Sequence, residues 1–158
     1  MFDADAAANA VHATEFGRPE DVEVIGKTLY VNNTSEDRTV AIDLNTQVLT
    51  SYVLAGANVP VEDRGAGVTG FTSPDNLAQG PDGRLWIVED NFMSDIWVAG
   101  KDVNHDGQAD TVEHFASLVD SGAEISGIYF GTDPKALYLS IQHADKPLAD
   151  GVRKVAPC

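Results

Sequence analysis

Three copies of one short pattern, a leucine followed by an aromatic and an aliphatic residue, recur at nearly even spacing along the chain. They are Leu29-Tyr30-Val31, Leu85-Trp86-Ile87 and Leu137-Tyr138-Leu139, and their leucines lie 56 and 52 positions apart. Around them, short segments rich in β-branched and aromatic residues alternate with turn residues. A period of roughly 50 residues with four short strands per unit is typical of a β-propeller blade. A β-sandwich also has many short strands, but it gives no reason for this repeated triplet.

The pattern predicts an all-β chain, a partial β-propeller of about two and a half four-stranded antiparallel blades. We expect one domain over residues 1–158, with blades at approximately residues 18–56, 73–120 and 123–153 and an Ala-rich helix within residues 4–13. The third blade has two recognisable strands and is then cut short. The Gly-rich segment at residues 55–72 has the length of a functional loop between blades.

Such an open arc leaves strand edges and blade faces uncovered, because propellers close with roughly four to eight blades. Three explanations remain open at this point. The chain is a fragment of a longer propeller, or it assembles with copies of itself, or its missing blades lie in another chain.

Charge and cysteine content restrict the classes of partner. Ten Lys and Arg against 25 Asp and Glu give a formal net charge of −15, which disfavours nucleic acid and anionic membranes. The same acidity favours the binding of divalent cations, but an acidic surface exposed to solvent explains it equally well.

The single cysteine, Cys158, permits no intramolecular disulfide. The first ten residues look like an internal segment without a signal peptide, which says little about where a parent protein is located.

A loop with the ligand spacing of an EF-hand lies between two strand-like segments. Gly107 stands at its sixth position, where the backbone turns sharply, and Gln108 at the seventh offers a backbone carbonyl. The predicted ligands are Asp102, Asn104, Asp106, Gln108, Asp110 and Glu113. We expect Ca²⁺ here in a structural role, with Glu113 the weakest ligand because it enters a strand. The alternative is an Asp/Asn/Gly surface turn without metal.

A second group of polar residues lies just before the first strand of each blade. The segments are Arg18-Pro19-Glu20-Asp21, Ser73-Pro74-Asp75-Asn76 and Gly122-Ala123-Glu124, joined by Asp90 and Gln142-His143 at the ends of second strands. Since the innermost strands of a propeller surround its channel, these side chains are expected to converge at one end of it. Carboxylates hold hard cations, and Arg18 offers a planar fork to a phosphate or carboxylate. Ordinary turn chemistry is the competing explanation.

At these residues the chain resembles the PhoX family of alkaline phosphatases, secreted phosphomonoesterases built on a six-bladed propeller. The resemblance extends over about residues 6–151. It rests on Ala10-Val11-His12-Ala13-Thr14, Arg18-Pro19-Glu20-Asp21, Ser73-Pro74-Asp75-Asn76-Leu77, Gly83-Arg84-Leu85-Trp86 with Asp90, Gly122-Ala123-Glu124-Ile125-Ser126-Gly127 and Ile141-Gln142-His143. His12 stands where the family usually has glycine, and Ala144-Asp145 replace a usual Pro-Gly.

The resemblance implies a cofactor of iron and calcium ions that polarises a phosphomonoester, and a periplasmic or secreted location. Arg18 would contact phosphate and Glu20 would bind iron, while Asp75, Asp90 and Glu124 would be calcium or supporting carboxylates. The family site also uses a cysteine, a further glutamate and a lysine from the first half of the propeller, which this chain lacks. The isolated chain is therefore expected to be a poor phosphatase.

Two functions follow as hypotheses. The first is a PhoX-type alkaline phosphatase fragment that hydrolyses phosphomonoesters once the missing blades complete it. The second is a calcium-stabilised propeller segment with a binding or scaffolding role and no catalysis.

Overall fold

The chain folds into short antiparallel strands preceded by one short helix. The computed structural model describes residues 3–120, 122–144 and 150–156. Within them the helix is α1 (Ala4–Ala10), capped by the Asp3 carboxylate, which accepts a hydrogen bond from the Ala6 amide at 3.0 Å. The strands are β1 (Pro19–Ile25), β2 (Thr28–Asn33), β3 (Arg38–Asp43), β4 (Leu49–Leu54), β5 (Pro74–Gln79), β6 (Leu85–Glu89), β7 (Asp95–Ala99), β8 (Val112–Ser117), β9 (Glu124–Phe130), β10 (Leu137–Gln142) and β11 (Gly151–Val155).

The strands form three antiparallel sheets in which sequence neighbours pair. The sheet orders are β1-β2-β3-β4, β5-β6-β7-β8 and β11-β10-β9. This arrangement confirms the predicted all-β partial propeller. The sequence did not predict β11 as a strand. It pairs with β10 alone, and most of its side chains, including those of Arg153 and Lys154, are exposed. A short edge strand of this kind has no apolar alternation by which to recognise it.

The repeated triplet forms the packing contact between blades. Each copy lies on the second strand of its blade, where successive side chains point to opposite faces. Leu85 and Ile87 pack towards the first blade in a core that includes Tyr30. Trp86, between them, packs towards the third blade in a second core that includes Ile125. The aromatic residue of the triplet therefore faces the next blade, and its aliphatic neighbours face the preceding one.

The first strands of the first two blades begin with the same backbone irregularity. In each, a residue with positive φ precedes a proline, and two residues after the proline bulge out of the ladder. The residues are Arg18 (φ 52°), Pro19 and Glu20-Asp21 in β1, and Ser73 (φ 48°), Pro74 and Asp75-Asn76 in β5. Bulges re-aim side chains and are common beside functional sites. The two bulges contain Glu20 and Asp75.

None of the described helical segments has the length and apolar character that a membrane span requires. His12, which stands where the resembled family has glycine, adopts a left-handed backbone conformation with φ 51°. This is the conformation that glycine enters at the lowest cost, which gives a physical reason for the family preference at this position.

Candidate active site

Five of the predicted side chains come together at one end of the blades, and we call this cluster the mouth. Its members are Arg18 and Glu20 of the first blade, Asp75 and Asp90 of the second, and Glu124 of the third. Nη2 of Arg18 lies 3.1 Å from Oδ2 of Asp90 and 3.1 Å from Oε1 of Glu20. Nε of Arg18 also donates to Glu20 at 3.2 Å. Arg18 therefore links carboxylates of two blades.

Asp75 lies close enough to the other charged side chains of the mouth to be affected by them. Burial and the neighbouring carboxylates of Asp90, Glu20 and Asp21 raise its pKa to about 6, against the opposing effect of Arg18. Each of these three carboxylates raises the pKa of Asp75 more than Arg18 lowers it, so one guanidinium does not offset their repulsion. A bound cation would relieve this repulsion and favour the ionised form of Asp75.

Glu124 brings the third blade to the same cluster. Burial raises its pKa, and contact with the Asp90 carboxyl raises it further, while Gln142 and His143 act in the opposite direction. The Gln142 side-chain amide donates to Glu124, and Nε2 of His143 lies 3.3 Å from Oε1 of Glu124. The Gln-His pair predicted at the third-blade rim is thus beside the mouth. Asp145 lies outside the described residues.

The donor chemistry of the mouth fits a hard cation. Asp90 has Asp75 and Glu124 as carboxylate neighbours, and Glu20 is a neighbour of Asp75. The cationic side chains paired with these acids are Arg18 and, when protonated, His143. Such oxygen donors are the ligands that Ca²⁺ prefers. In the described part of the chain, no three His, Cys, Asp or Glu side chains are arranged to hold an ion. A complete metal centre therefore requires ligands in addition to those placed here.

The loop beginning at Asp102 has its predicted ligands folded inward. The Asp102 carboxylate accepts the amides of Asp106 and Gly107 at 3.1 and 2.9 Å, and Asp106 accepts the amide of Gln108 at 2.9 Å. Asn104 also accepts the amide of Asp106, at 2.9 Å. A further bond, from the Val103 amide to the Asp110 carboxylate at 2.9 Å, closes the loop. Gly107 has φ 87°, as a sharp turn at this position requires.

Glu113 is not brought into this loop. It lies on β8, and its Oε2 is 3.0 Å from Nη1 of Arg84 in an exposed ion pair. The loop packs against the first blade, where the Ala109 amide donates to the Tyr52 carbonyl at 2.9 Å. Because β7 runs away from Asp90, the loop that follows it lies at the opposite end of the sheet from the mouth.

Two buried acids near the mouth were not predicted from sequence. Glu89 is fully buried and accepts hydrogen bonds from the Thr72 amide at 3.0 Å, the Trp97 indole at 2.8 Å and the Asn91 side chain at 3.0 Å. Burial raises its pKa to about 8. The sequence feature that could have indicated this buried acid is its position at the end of an otherwise apolar strand, Leu85–Glu89.

The second buried acid, Asp95, contacts Nη2 of Arg64 at 3.3 Å and Nε2 of His114 at 3.1 Å. The same His114 nitrogen lies 3.0 Å from Oγ of Ser117. A Ser-His-Asp hydrolase uses the two different ring nitrogens for these contacts. This trio therefore lacks the geometry of a catalytic triad.

Comparison with known proteins gives a family and a fold. The model of the family described as alkaline phosphatase PhoX matches residues 35–145, which include Asp75, Asp90 and Glu124 but begin after Arg18 and Glu20. Eight chains of solved structure match. One, hydrazine synthase of Kuenenia stuttgartiensis, is 20% identical with a TM-score of 0.50, and this likeness concerns the fold alone. It covers 80% of this chain and 30% of that chain.

No functionally curated protein matches the sequence significantly. The family match spans well over half of the 158 residues and includes the second- and third-blade members of the mouth. The chain belongs to the PhoX family of alkaline phosphatases.

Proposed function

We propose that this chain provides the phosphate-binding arginine and several metal ligands of a metal-dependent phosphomonoesterase. The observation that supports this most directly is the convergence of Arg18 with carboxylates from three successive blades. Phosphoryl transfer requires positive charge and positioned donors around the phosphate oxygens. The mouth offers one such donor and oxygen ligands for cations that supply the remaining charge.

Arg18 is the residue proposed to bind the phosphate. Its side chain is 56% exposed, so solvent reaches it at the mouth. Nε and Nη2 are engaged by Glu20 and Asp90, while Nη1 has no partner among the described residues. A guanidinium presents N–H groups in a planar fork that matches two oxygens of a phosphate. Cations bound to Glu20 and Asp90 would weaken their pairing with Arg18 and release further N–H groups to the substrate.

The carboxylates are proposed to hold the metal ions. Glu20 would bind iron, and Asp75, Asp90 and Glu124 would bind calcium or orient its ligands. When bound, the ions would supply Lewis acidity and neutralise charge on the transferring phosphoryl group. A separate Ca²⁺ at the loop of Asp102, Asn104, Asp106, Gln108 and Asp110 would brace the second blade against the first. Glu113 would have to leave Arg84 in order to join it.

Activity is proposed to require blades that this chain does not contain. The chain covers 30% of the length of the Kuenenia protein. The missing blades would come from the remainder of a longer protein, from another chain or from a second copy. We further propose that the protein is secreted or periplasmic, that its substrates are phosphomonoesters, and that it has no nucleic acid or membrane partner.

Substitution of Glu20 tests the metal role of the mouth. In a protein that supplies the missing blades, Glu20→Ala is expected to lower hydrolysis of p-nitrophenyl phosphate, with added Ca²⁺ and iron, by at least the ten- to hundredfold, roughly, that loss of a partner behind a metal ligand causes. The matched control is Glu15→Ala, an exposed glutamate outside the sheets that should leave the rate unchanged. Turnover by Glu20→Ala equal to that of the control would contradict the assignment.

A further inference from the structure

The backbone that bears Asp75 is held by buried side chains of the neighbouring blade. Nδ2 of Asn32 donates to the carbonyl of Asp75 at 2.9 Å, and Oγ1 of Thr34 donates to the carbonyl of Pro74 at 2.8 Å. Asn32 is 0% exposed and Thr34 is 3% exposed. Both donors come from the end of β2 or the turn after it, so the first blade directly fixes a segment of the second.

A third buried residue sets the orientation of the Asn32 amide. Oγ1 of Thr39, on β3, donates to Oδ1 of Asn32, and Thr39 is also fully buried. With its oxygen occupied by this donor, the Asn32 amide directs its NH₂ group at Asp75. The side chains of Thr39 and Asn32 form a continuous hydrogen-bonded path from β3 to the bulge of β5.

Two aspartates of the first blade hold the flanks of the same segment. Oδ1 of Asp37 accepts the Ser73 amide at 2.8 Å and the Thr72 hydroxyl at 3.0 Å. Beyond the bulge, Oδ2 of Asp21 accepts the Leu77 amide at 2.9 Å. Residues 72–77 are thus bonded to the first blade before, within and after the bulge.

The equivalent contact between the second and third blades differs. Asn76 occupies in the β5 bulge the place that Asp21 occupies in the β1 bulge. Its Oδ1 is buried and has no hydrogen-bond partner among the described residues. A bond of the kind made by Asp21 is therefore not repeated at that position, so this part of the hold on residues 72–77 is not a general consequence of blade stacking.

We propose that Asn32 and Thr34 are positioning residues that hold Asp75 in the geometry in which the mouth binds a cation. The inference rests on the proposed function, because it gives Asp75 a role as a metal ligand or a support of one. Partners behind metal ligands typically alter metal affinity by about ten- to a hundredfold when they are removed. Neither residue belongs to the motifs from which the mouth was predicted.

Calcium titration by calorimetry, in a protein that supplies the missing blades, tests the proposal without any measurement of hydrolysis. The background is Asp106→Ala, which removes a central ligand of the second predicted calcium site. Asp75→Asn in this background identifies the signal of the mouth by abolishing it. Thr34→Val, which keeps the side-chain shape but removes the hydroxyl, is expected to weaken Ca²⁺ binding at the mouth by about tenfold or more. Thr34→Ser, which keeps the hydroxyl, is expected to bind like the background protein.

Equal Ca²⁺ affinity of Thr34→Val and the background would overturn the positioning role while leaving the proposed function intact. Absence of any Asp75-dependent binding in the background protein would instead remove the metal role of the mouth and the inference with it. If Thr34→Val does not fold, Thr39→Val is the second variant, since it leaves Asn32 in place but removes the bond that orients its amide. It is expected to weaken binding in the same direction, and unchanged affinity would also overturn the proposal.

Discussion

Replacement of Arg18 by alanine is expected to lower kcat/KM for p-nitrophenyl phosphate by about a hundred- to a thousandfold in a protein that supplies the missing blades. Loss of one positioned donor to a developing anionic oxygen typically has an effect of about this size. Arg18 is the basic residue that bridges Glu20 and Asp90, so its loss also leaves the acids of the mouth less neutralised. Both effects disfavour an anionic substrate.

Arg18→Lys should recover only a small part of the rate, because an ammonium group has no planar fork for two phosphate oxygens. The matched control is Arg84→Ala, which removes an arginine paired with Asp82 and Glu113 at the opposite end of the second blade. Steady-state kinetics of the three variants measure the effect. Equal losses in Arg18→Ala and Arg84→Ala would show that general charge, and not phosphate contact, is responsible.

The free energy of unfolding is expected to fall as pH rises from about 5 to 8 because of Glu89. Burial raises the pKa of this carboxyl to about 8, and nearby Asp95 adds to the effect, while bonds from Thr72, Asn91 and Trp97 oppose it. Across this range the folded protein retains a proton that the unfolded chain has already released, so stability decreases with pH. The contribution is fully present below the ordinary pKa of 4.5 and lost as pH rises through about 8, a change on the order of 5 kcal/mol.

Glu89→Gln is expected to remove most of this slope, because a neutral amide replaces the protonated carboxyl without the possibility of ionisation. Oδ1 of Asn91 is buried without a partner among the described residues. A turn of the Asn91 amide would let this oxygen accept from the new glutamine. Urea denaturation at pH 5, 6, 7 and 8 measures the slope, with the exposed Glu113→Gln as the control. Parallel curves for Glu89→Gln and the unmodified protein would contradict the buried, proton-retaining state of Glu89.

The blades and the members of the mouth were predictable because both depend on repeated local patterns. The triplet repeats since each second strand packs an aromatic residue towards one neighbour and aliphatic residues towards the other. Acids next to a proline at the start of a first strand recur at the same place in the first two blades, so their convergence follows from the propeller arrangement.

The features that the sequence did not predict depend on contacts between residues far apart in sequence. Asn32 donates a hydrogen bond to Asp75, 43 positions away in sequence, and Arg84 forms an ion pair with Glu113, 29 positions away. Burial of Glu89 depends on Thr72 and Trp97, which belong to a loop and to the next strand. No local pattern specifies such partners, because they are chosen by the packing of one blade against another.

A crystal structure, with Ca²⁺ and phosphate, of a protein that supplies the missing blades tests the central proposal most directly, since it requires no turnover. The proposal predicts a phosphate within hydrogen-bond distance of the Arg18 guanidinium and a Ca²⁺ ion bound by carboxylates among Glu20, Asp75, Asp90 and Glu124. Ca²⁺ found only in the loop that begins at Asp102, with no anion at Arg18, would contradict it.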